Sequence, residues 1–124
     1  MTRIWVVDDS PDVRKRVVDA VEEIASVEVI GEFESATAAI EGAKRQQPDI
    51  VILDDRLKQG SGLDVLRFLN VEYPSVRVIV FSDYAEPYQR DTFVRGGAHA
   101  FFSKAEGCEA MLDSIRDLAA NPPR

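Results

Sequence analysis

The stretch Ile50-Val51-Ile52-Leu53-Asp54-Asp55-Arg56-Leu57-Lys58-Gln59-Gly60-Ser61-Gly62 decides the fold. Four consecutive aliphatic residues leave no polar face, as expected of a strand covered by helices on both sides. The run, taken as a strand from Asp49 to Leu53, stops at two aspartates. A polar loop with two glycines follows, and Ser61 can cap a helix over Leu63 to Asn70. A buried strand with an acidic tip, then a loop and a helix, is half of a βαβ unit.

Outward from this stretch the alternation recurs until it has appeared five times. The first strand is expected over Arg3 to Asp8, and Ser10 and Pro11 suit the N-cap and first position of a helix whose Val13, Val17, Val21 and Ile24 share a face. Val27 to Glu32 reads as the second strand, with Ser35 capping a helix of small residues, Ala36, Ala39, Ile40 and Ala43, that Pro48 stops. Val76 to Phe81 is the fourth strand and delivers Ser82 to the same edge. Pro87 opens the next helix and Gly96-Gly97 closes it. Phe101-Phe102 marks the fifth strand, and Cys108, Met111, Leu112, Ile115 and Leu118 make the stripe of the last helix. Right-handed crossovers and the two most apolar strands side by side favour the order 2-1-3-4-5. The fold class is therefore α/β, a flavodoxin-like (βα)5 three-layer sandwich with a parallel sheet, in one domain over 1–120 and a short tail over 121–124.

Composition narrows the function. The chain has 124 residues, 45% of them hydrophobic, which suits one domain with a real core. A net charge of −7 argues against direct binding to nucleic acid. No apolar run approaches the roughly 20 residues needed to span a bilayer, so no membrane partner is expected and a cytoplasmic location is. A single cysteine, Cys108, excludes an internal disulfide and reads as a small packing residue; a single histidine, His99, reads as a surface residue near a strand start.

The polar residues that end the strands carry the chemistry. Asp8 and Asp9 follow the first strand, Asp54 the third, Ser82 the fourth and Lys104 the fifth, so all should meet at the carboxyl edge of the sheet, where open α/β sheets bind ligands. Crowded carboxylates repel each other and lose hydration, which a divalent cation and a lysine would offset. Mg²⁺ accepts a few carboxylates and leaves positions for water and phosphate. Asp9 and Asp54 would bind directly, Asp8 through a water, and the Arg56 carbonyl could add a ligand. Asp54 is the natural nucleophile for forming an acyl phosphate, with Lys104 neutralising the transferring group and Ser82 donating to one of its oxygens.

Taken singly, each of these residues has an ordinary reading as a turn acid, a surface lysine or a strand-end hydroxyl. Their joint placement reverses that. Asp55 and Asp49 keep the ordinary reading, and Tyr84, Tyr88 and Phe93 read as packing or rim residues.

These residues together resemble the receiver domain of bacterial two-component response regulators. Val7-Asp8-Asp9 is similar to the family's first-strand acid pair, and Leu53-Asp54 with Leu57 and Gly60-Ser61-Gly62 to its phosphorylation loop. Ser82 falls at its Ser/Thr position, and Gly97-Ala98 through Phe101 to Lys104 is similar to its last-strand signature. The resemblance implies a histidine kinase or histidine phosphotransfer protein as donor to Asp54, Mg²⁺ (or Mn²⁺) as cofactor, and Phe101 as the switch aromatic. It implies a phosphoacceptor signalling domain, not an enzyme acting on an outside substrate.

Charge suggests how the switch works. A phosphoryl group adds roughly −1.5 to −2 charge, giving Ser82 and Lys104 a partner they lacked; Ser82 would move inward and Phe101 would rotate from exposed to buried. The face made by the fourth helix, fifth strand and fifth helix would change shape. Moving an equilibrium from 1:99 to 99:1 takes about 5.5 kcal/mol, which two charge-assisted hydrogen bonds of about 1.5–3 kcal/mol each approach. With no output domain after Asn121, the signal is expected to leave by that face, to a downstream protein target or a second copy in a homodimer.

Four features depart from the usual pattern of the family. Lys58 replaces a common proline, which would loosen the loop and add a cation near the site. Asp83 follows Ser82 where a small residue is usual; its carboxylate would repel phosphodonors or a water nucleophile, the latter tuning phosphoryl lifetime. Ala105 replaces the frequent proline after Lys104, removing the usual reason for a cis bond there. Arg56 and Tyr84 occupy positions that tune phosphoryl lifetime in the family, and bulk at Tyr84 would shield the acyl phosphate. Two other readings compete: a receiver-fold adaptor that is never phosphorylated (a pseudo-receiver), and a metal-dependent phosphohydrolase, which usually wants Asp-x-Asp where this chain has Asp8-Asp9-Ser10.

Overall fold

The computed structural model describes residues 1–83 and 86–121. Strands β1 (Thr2–Val7), β2 (Val27–Phe33), β3 (Ile50–Leu53), β4 (Arg77–Ser82) and β5 (Ala100–Ser103) alternate with helices α1 (Pro11–Glu22), α2 (Ala36–Arg45), α3 (Gly62–Glu72), α4 (Pro87–Arg95) and α5 (Glu109–Ala120). The sheet is parallel throughout, with order β2-β1-β3-β4-β5.

Strand alternation divides the core into two layers. Val7, Val51, Leu53, Val78, Val80 and Phe101 face the small and aliphatic residues of α2 and α3 and Phe93 of α4. Ile4, Val6, Ile50, Ile52, Ile79 and Phe81 face Val17, Val18 and Val21 of α1 and Met111, Leu112 and Ile115 of α5. All four β3 residues are buried, as the unbroken aliphatic run requires. Phe101 and Phe102 go to opposite layers; Phe101 is fully core and Phe102 half-buried.

The expected caps form. Ser10 Oγ accepts from Val13 N at 3.3 Å and Ser35 Oγ from Ala38 N at 3.0 Å. Ser61 and Asp64 exchange side-chain bonds with each other's backbone N–H, at 3.2 and 3.1 Å, as a capping box.

Several boundaries differ from expectation. β3 begins at Ile50, although Asp49 is tied to both neighbouring strands: its N donates to Arg3 O at 2.8 Å, its O accepts from Arg77 N at 3.0 Å, and its carboxylate accepts from Arg3 N at 2.8 Å. α3 runs past Asn70 to Glu72 and ends only before Pro74. A 3-10 turn over Lys104–Glu106, which hydrophobic periodicity cannot reveal, separates β5 from α5, and Cys108 sits half-buried at the N-cap of that helix. His99 is exposed just ahead of β5. Among the described residues no helix is long and apolar enough to cross a membrane.

Candidate functional site

Register, more than loop conformation, assembles the site. Val7 pairs with Leu53, Leu53 with Val80, and Val80 with Phe101. Val7 and Leu53 are the paired last residues of β1 and β3, so Asp8 and Asp54 leave the sheet side by side, one interstrand spacing of roughly 4.8 Å apart. β4 and β5 run two residues further, to the pair Ser82 and Ser103, which carries Ser82 and Lys104 beyond the acids. Asp54 N donates to Val7 O at 2.9 Å and Asp8 N to Phe33 O at 2.9 Å, which pins both acids at the edge. Asp8, Asp9 and Asp54 each bring a carboxylate oxygen within 4.8 Å of the others. Asp8 and Asp54 are buried and Asp9 is half-buried.

Lys104 closes the cluster from the end of β5. Its Nζ lies 2.8 Å from Asp8 Oδ2, 3.4 Å from Asp54 Oδ1 and 3.9 Å from Asp83 Oδ2. Asp8 is held on its other oxygen by Ser10 N at 2.9 Å. Asp83 is exposed and reaches Lys104 only at long range, so it adds negative charge at the rim of the site.

The electrostatics follow from crowding. Burial pushes the Asp54 carboxyl up to about 8, with the hydrogen bond to Asp55 and the charge of Asp8 acting in the same direction and Lys104 opposing them. Burial also pulls Lys104 down, but the bond to Asp8 and the charges of Asp54, Asp8 and Asp83 outweigh it and hold the ammonium above its ordinary value. Asp55 lies below the usual carboxylate range: burial raises it, and hydrogen bonds with Asp54, Ser82 and Gln89 overcome that. Three acids around one amine leave negative charge uncompensated. An all-oxygen donor set of this kind fits a hard divalent cation such as Mg²⁺, whose charge would favour the ionised form of Asp54.

The loop beyond Asp54 depends on one close approach. A Cβ on Gly62 would lie 2.2 Å from Asp54 O and 2.8 Å from Asp55 Cα, so only glycine lets the start of α3 pass over the backbone of Asp54 and Asp55. Gly62 N donates to Asp55 O at 2.9 Å, and Arg56 and Ser61 form an isolated bridge across the loop. Arg56 is exposed.

Five expectations need correction. Asp55 is not an ordinary turn acid: it is buried, its Oδ1 accepts from Ser82 Oγ at 2.7 Å, and its Oδ2 accepts from Gln89 Nε2. Ser82 is therefore already inward and bonded, and Lys104 already has partners. Phe101 is already buried, 5.8 Å from the Phe93 ring, with the Arg90 guanidinium 5.4 Å from its centroid. Lys58 adds no cation to the site, because its Nζ pairs with Glu34 at 3.4 Å. Nor is the loop loosened there: Lys58 N bonds Glu34 O at 3.2 Å and Lys58 O accepts from Ala36 N at 3.0 Å. No peptide bond among the described residues is cis, in keeping with Ala105 after Lys104. The expected lifetime-tuning residue Tyr84 lies outside the described residues.

Sequence reasoning missed Gln89. A signal existed, since residue 89 lies one helical turn before Phe93 and so shares its inward face.

Comparison with known proteins agrees with this geometry. The family described as the response regulator receiver domain matches residues 4–116. The chain is 27% identical over 116 residues to the response regulator GacA of Pseudomonas viridiflava, covering 94% of this chain and 54% of that protein. It is 26% identical over 121 residues to the DNA-binding transcriptional activator DevR/DosR of Mycobacterium tuberculosis, covering 97% and 55%. The chain thus spans about half the length of these relatives. Among solved structures, the signal receiver domain of a NarL response regulator from Mycobacterium tuberculosis superposes with a TM-score of 0.88 at 30% identity, covering 97% of each chain. The response regulator domain of Thermotoga maritima CheB shares the fold, with a TM-score of 0.89 at 24% identity and 99% of each chain covered.

Proposed function

This chain belongs to the response regulator receiver domain family, and from that premise we propose that it is a phosphorylation-operated switch in which Asp54 accepts a phosphoryl group from a histidine kinase or histidine phosphotransfer protein. The observation that carries this reading is the meeting of Asp8, Asp9 and Asp54 within 4.8 Å of one another with Lys104 Nζ against two of them.

An Asp54 oxygen attacks phosphorus, the P–N bond of the donor phosphohistidine breaks, and its electron pair stays on the imidazole nitrogen. Asp54 must be ionised to attack, so the proton it holds below about pH 8 has to leave first. Lys104 stands beside Asp54 with its charge secured by Asp8, ready to offset charge on the transferring group. A Mg²⁺ or Mn²⁺ ion, held by Asp9 and Asp54 with Asp8 through water and the Arg56 carbonyl, would supply the remaining positive charge when bound. Arg56 and Asp83, both exposed, would with Tyr84 set how fast water removes the phosphoryl group.

In this role the chain promotes only its own phosphotransfer and dephosphorylation. It would work in the cytoplasm and signal by protein contact through the α4-β5-α5 face, to a downstream target or a second copy of itself. The acidic net charge of −7 disfavours direct contact with nucleic acid by this domain.

A pseudo-receiver adaptor is the second reading, favoured by the bond from Ser82 to Asp55, which occupies the hydroxyl that a phosphoryl oxygen would use. One experiment separates the two. The protein and its Asp54→Asn variant are incubated with Mg²⁺ and acetyl phosphate, then with a histidine kinase, and intact mass is recorded. A phosphoryl increment on the wild type that is lost in the variant supports the switch; no increment from either donor supports the adaptor.

A further inference from the structure

The carboxylate of Asp55 joins three elements. It follows Asp54 in the acceptor loop, takes the hydroxyl of Ser82 at the end of β4 on one oxygen at 2.7 Å, and takes the amide of Gln89 from the first turn of α4 on the other. We propose that Asp55 is the positioning residue of this switch, a two-armed tether that holds Ser82 inward and fastens α4 to the acceptor loop, thereby setting the buried position of Phe101. It rests on the receiver reading for the role of the phosphoryl group, but not for the tether itself.

Among the described residues α4 has few other anchors. Its N-cap, Glu86, makes no side-chain cap bond, and Phe93 is its only buried residue among those described. Phe93 lies one turn beyond Gln89 and packs on Phe101 at 5.8 Å, and Arg90 covers the same ring at 5.4 Å. Both of these ring contacts to Phe101, made beside its packing in the core cluster, come from the helix that Gln89 anchors. A helix with so few buried apolar contacts lies at the low-stability end of a domain, where one buried, doubly satisfied carboxylate has large leverage.

The Ser82 hydroxyl carries one proton. Donated to Asp55, it cannot at the same time be donated to a phosphoryl oxygen on Asp54, so the two acceptors compete for it. The arrangement that charge arguments assign to a phosphoryl group, with Ser82 inward and Phe101 buried, is here held by Asp55. Phosphorylation then changes Phe101 little as long as Asp55 is present, and much once it is replaced.

The test compares wild type with Asp55→Val, Gln89→Ala and Asp55→Asn, using hydrogen exchange and fluorine NMR of protein labelled with 4-fluorophenylalanine. The Phe101 signal is assigned by its loss in Phe101→Leu. In unmodified protein, Asp55→Val and Gln89→Ala are expected to exchange α4 amides about tenfold faster or more, with β1 and β3 unchanged, and to shift the Phe101 resonance. Asp55→Asn should restore both, since its carbonyl oxygen still accepts from Ser82 and the Gln89 amide can flip to pair with its NH2. Mg²⁺ with beryllofluoride, which mimics the phosphoryl group, should then move the Phe101 resonance at least threefold further in Asp55→Val than in wild type. Wild-type-like α4 exchange in both Asp55→Val and Gln89→Ala, or acceleration spread evenly over the domain, overturns the tether. If beryllofluoride binds no variant, the receiver reading fails, while the unmodified proteins still decide whether the tether exists.

Discussion

Lys104 makes its shortest ion pair with Asp8, at 2.8 Å, and a longer one of 3.4 Å with Asp54. The amine is thus secured by a residue that need not react and is offered to the one proposed to react. Removing it leaves Asp8 and Asp54 buried beside each other without a cation. Breaking a buried pair from one side costs about 3–5 kcal/mol. Lys104→Met is therefore expected to lower stability by about 3 kcal/mol in chelator, with a smaller loss in Mg²⁺, and to slow acetyl phosphate labelling of Asp54. Urea melts with and without Mg²⁺ measure the first effect and mass spectrometry the second. Equal losses under both conditions would remove the electrostatic explanation.

The raised Asp54 value predicts a coupling between metal, pH and stability. The folded protein holds this proton up to about pH 8, whereas the unfolded chain releases it near the ordinary 3.8. Between those values the native state binds more protons, so the contribution is fully present below about 3.8 and is lost as pH rises through 8. The lowered value of Asp55 acts oppositely and matters only toward acid, where its contribution is lost as pH falls. Metal-free protein should accordingly melt at lower temperature at pH 8.5 than at pH 6, and Asp54→Asn should flatten the slope. Mg²⁺ must displace the proton, so its affinity should rise about tenfold per pH unit below 8 and then level off. Calorimetry in buffers of differing ionisation heat reads the proton released. Proton-free binding at pH 6.5 would show that Asp54 is already ionised.

How much of this was legible in sequence depended on whether one strand could report it. The aliphatic runs and serine caps revealed the elements, and the strand-end acids revealed the cluster, because a parallel sheet places residues that follow paired strand ends side by side. The partner of Ser82 was not legible. It depends on how the turn after Leu53 aims Asp55, which has no periodicity to read; helical spacing puts Gln89 on the inward face with Phe93 but does not name the group it meets. Phe101 was placed correctly on the sheet but in the wrong state, since the side chains that cover it, Phe93 and Arg90 among them, come from other elements. The 3-10 turn at Lys104–Glu106 has no apolar repeat at all.

Lys58 is expected to be nearly silent. Its ammonium pairs with Glu34 at 3.4 Å with both side chains more than half exposed, and its position in the loop is held by backbone bonds to Glu34 and Ala36 that any non-proline residue can make. Exposed pairs contribute about 0–1 kcal/mol. Lys58→Ala should change the unfolding free energy from urea melts by no more than that and leave phosphoryl labelling unaltered. A labelling change of tenfold would mean that this lysine reaches the acids in solution.

Gly62→Ala, in contrast, is expected to damage site and fold together. Gly62 lies in the first turn of α3, where alanine would ordinarily be favoured by about 1 kcal/mol over glycine. Here a Cβ would stand 2.2 Å from Asp54 O and 2.8 Å from Asp55 Cα, both backbone atoms that cannot swing aside. Relief requires moving α3 away or displacing the acceptor loop. The first exposes Val65, Leu66 and Leu69, which are buried against β3 and β4, and the second carries Asp54 out of register with Asp8. A loss of about 2–4 kcal/mol is expected, the scale of overpacking a rigid site. Weaker Mg²⁺ binding should accompany it, because the carboxylate cluster depends on that register. Gly107→Ala is the control: its φ of +86° is strained for alanine, but beyond its own chain neighbours no atom lies within 4 Å of the added carbon. It should lose about 1–2 kcal/mol through backbone strain alone and leave Mg²⁺ affinity intact. Urea melts and Mg²⁺ titrations of the two variants separate strain from collision. Unchanged metal affinity in Gly62→Ala would show that α3 yields and the acceptor loop does not.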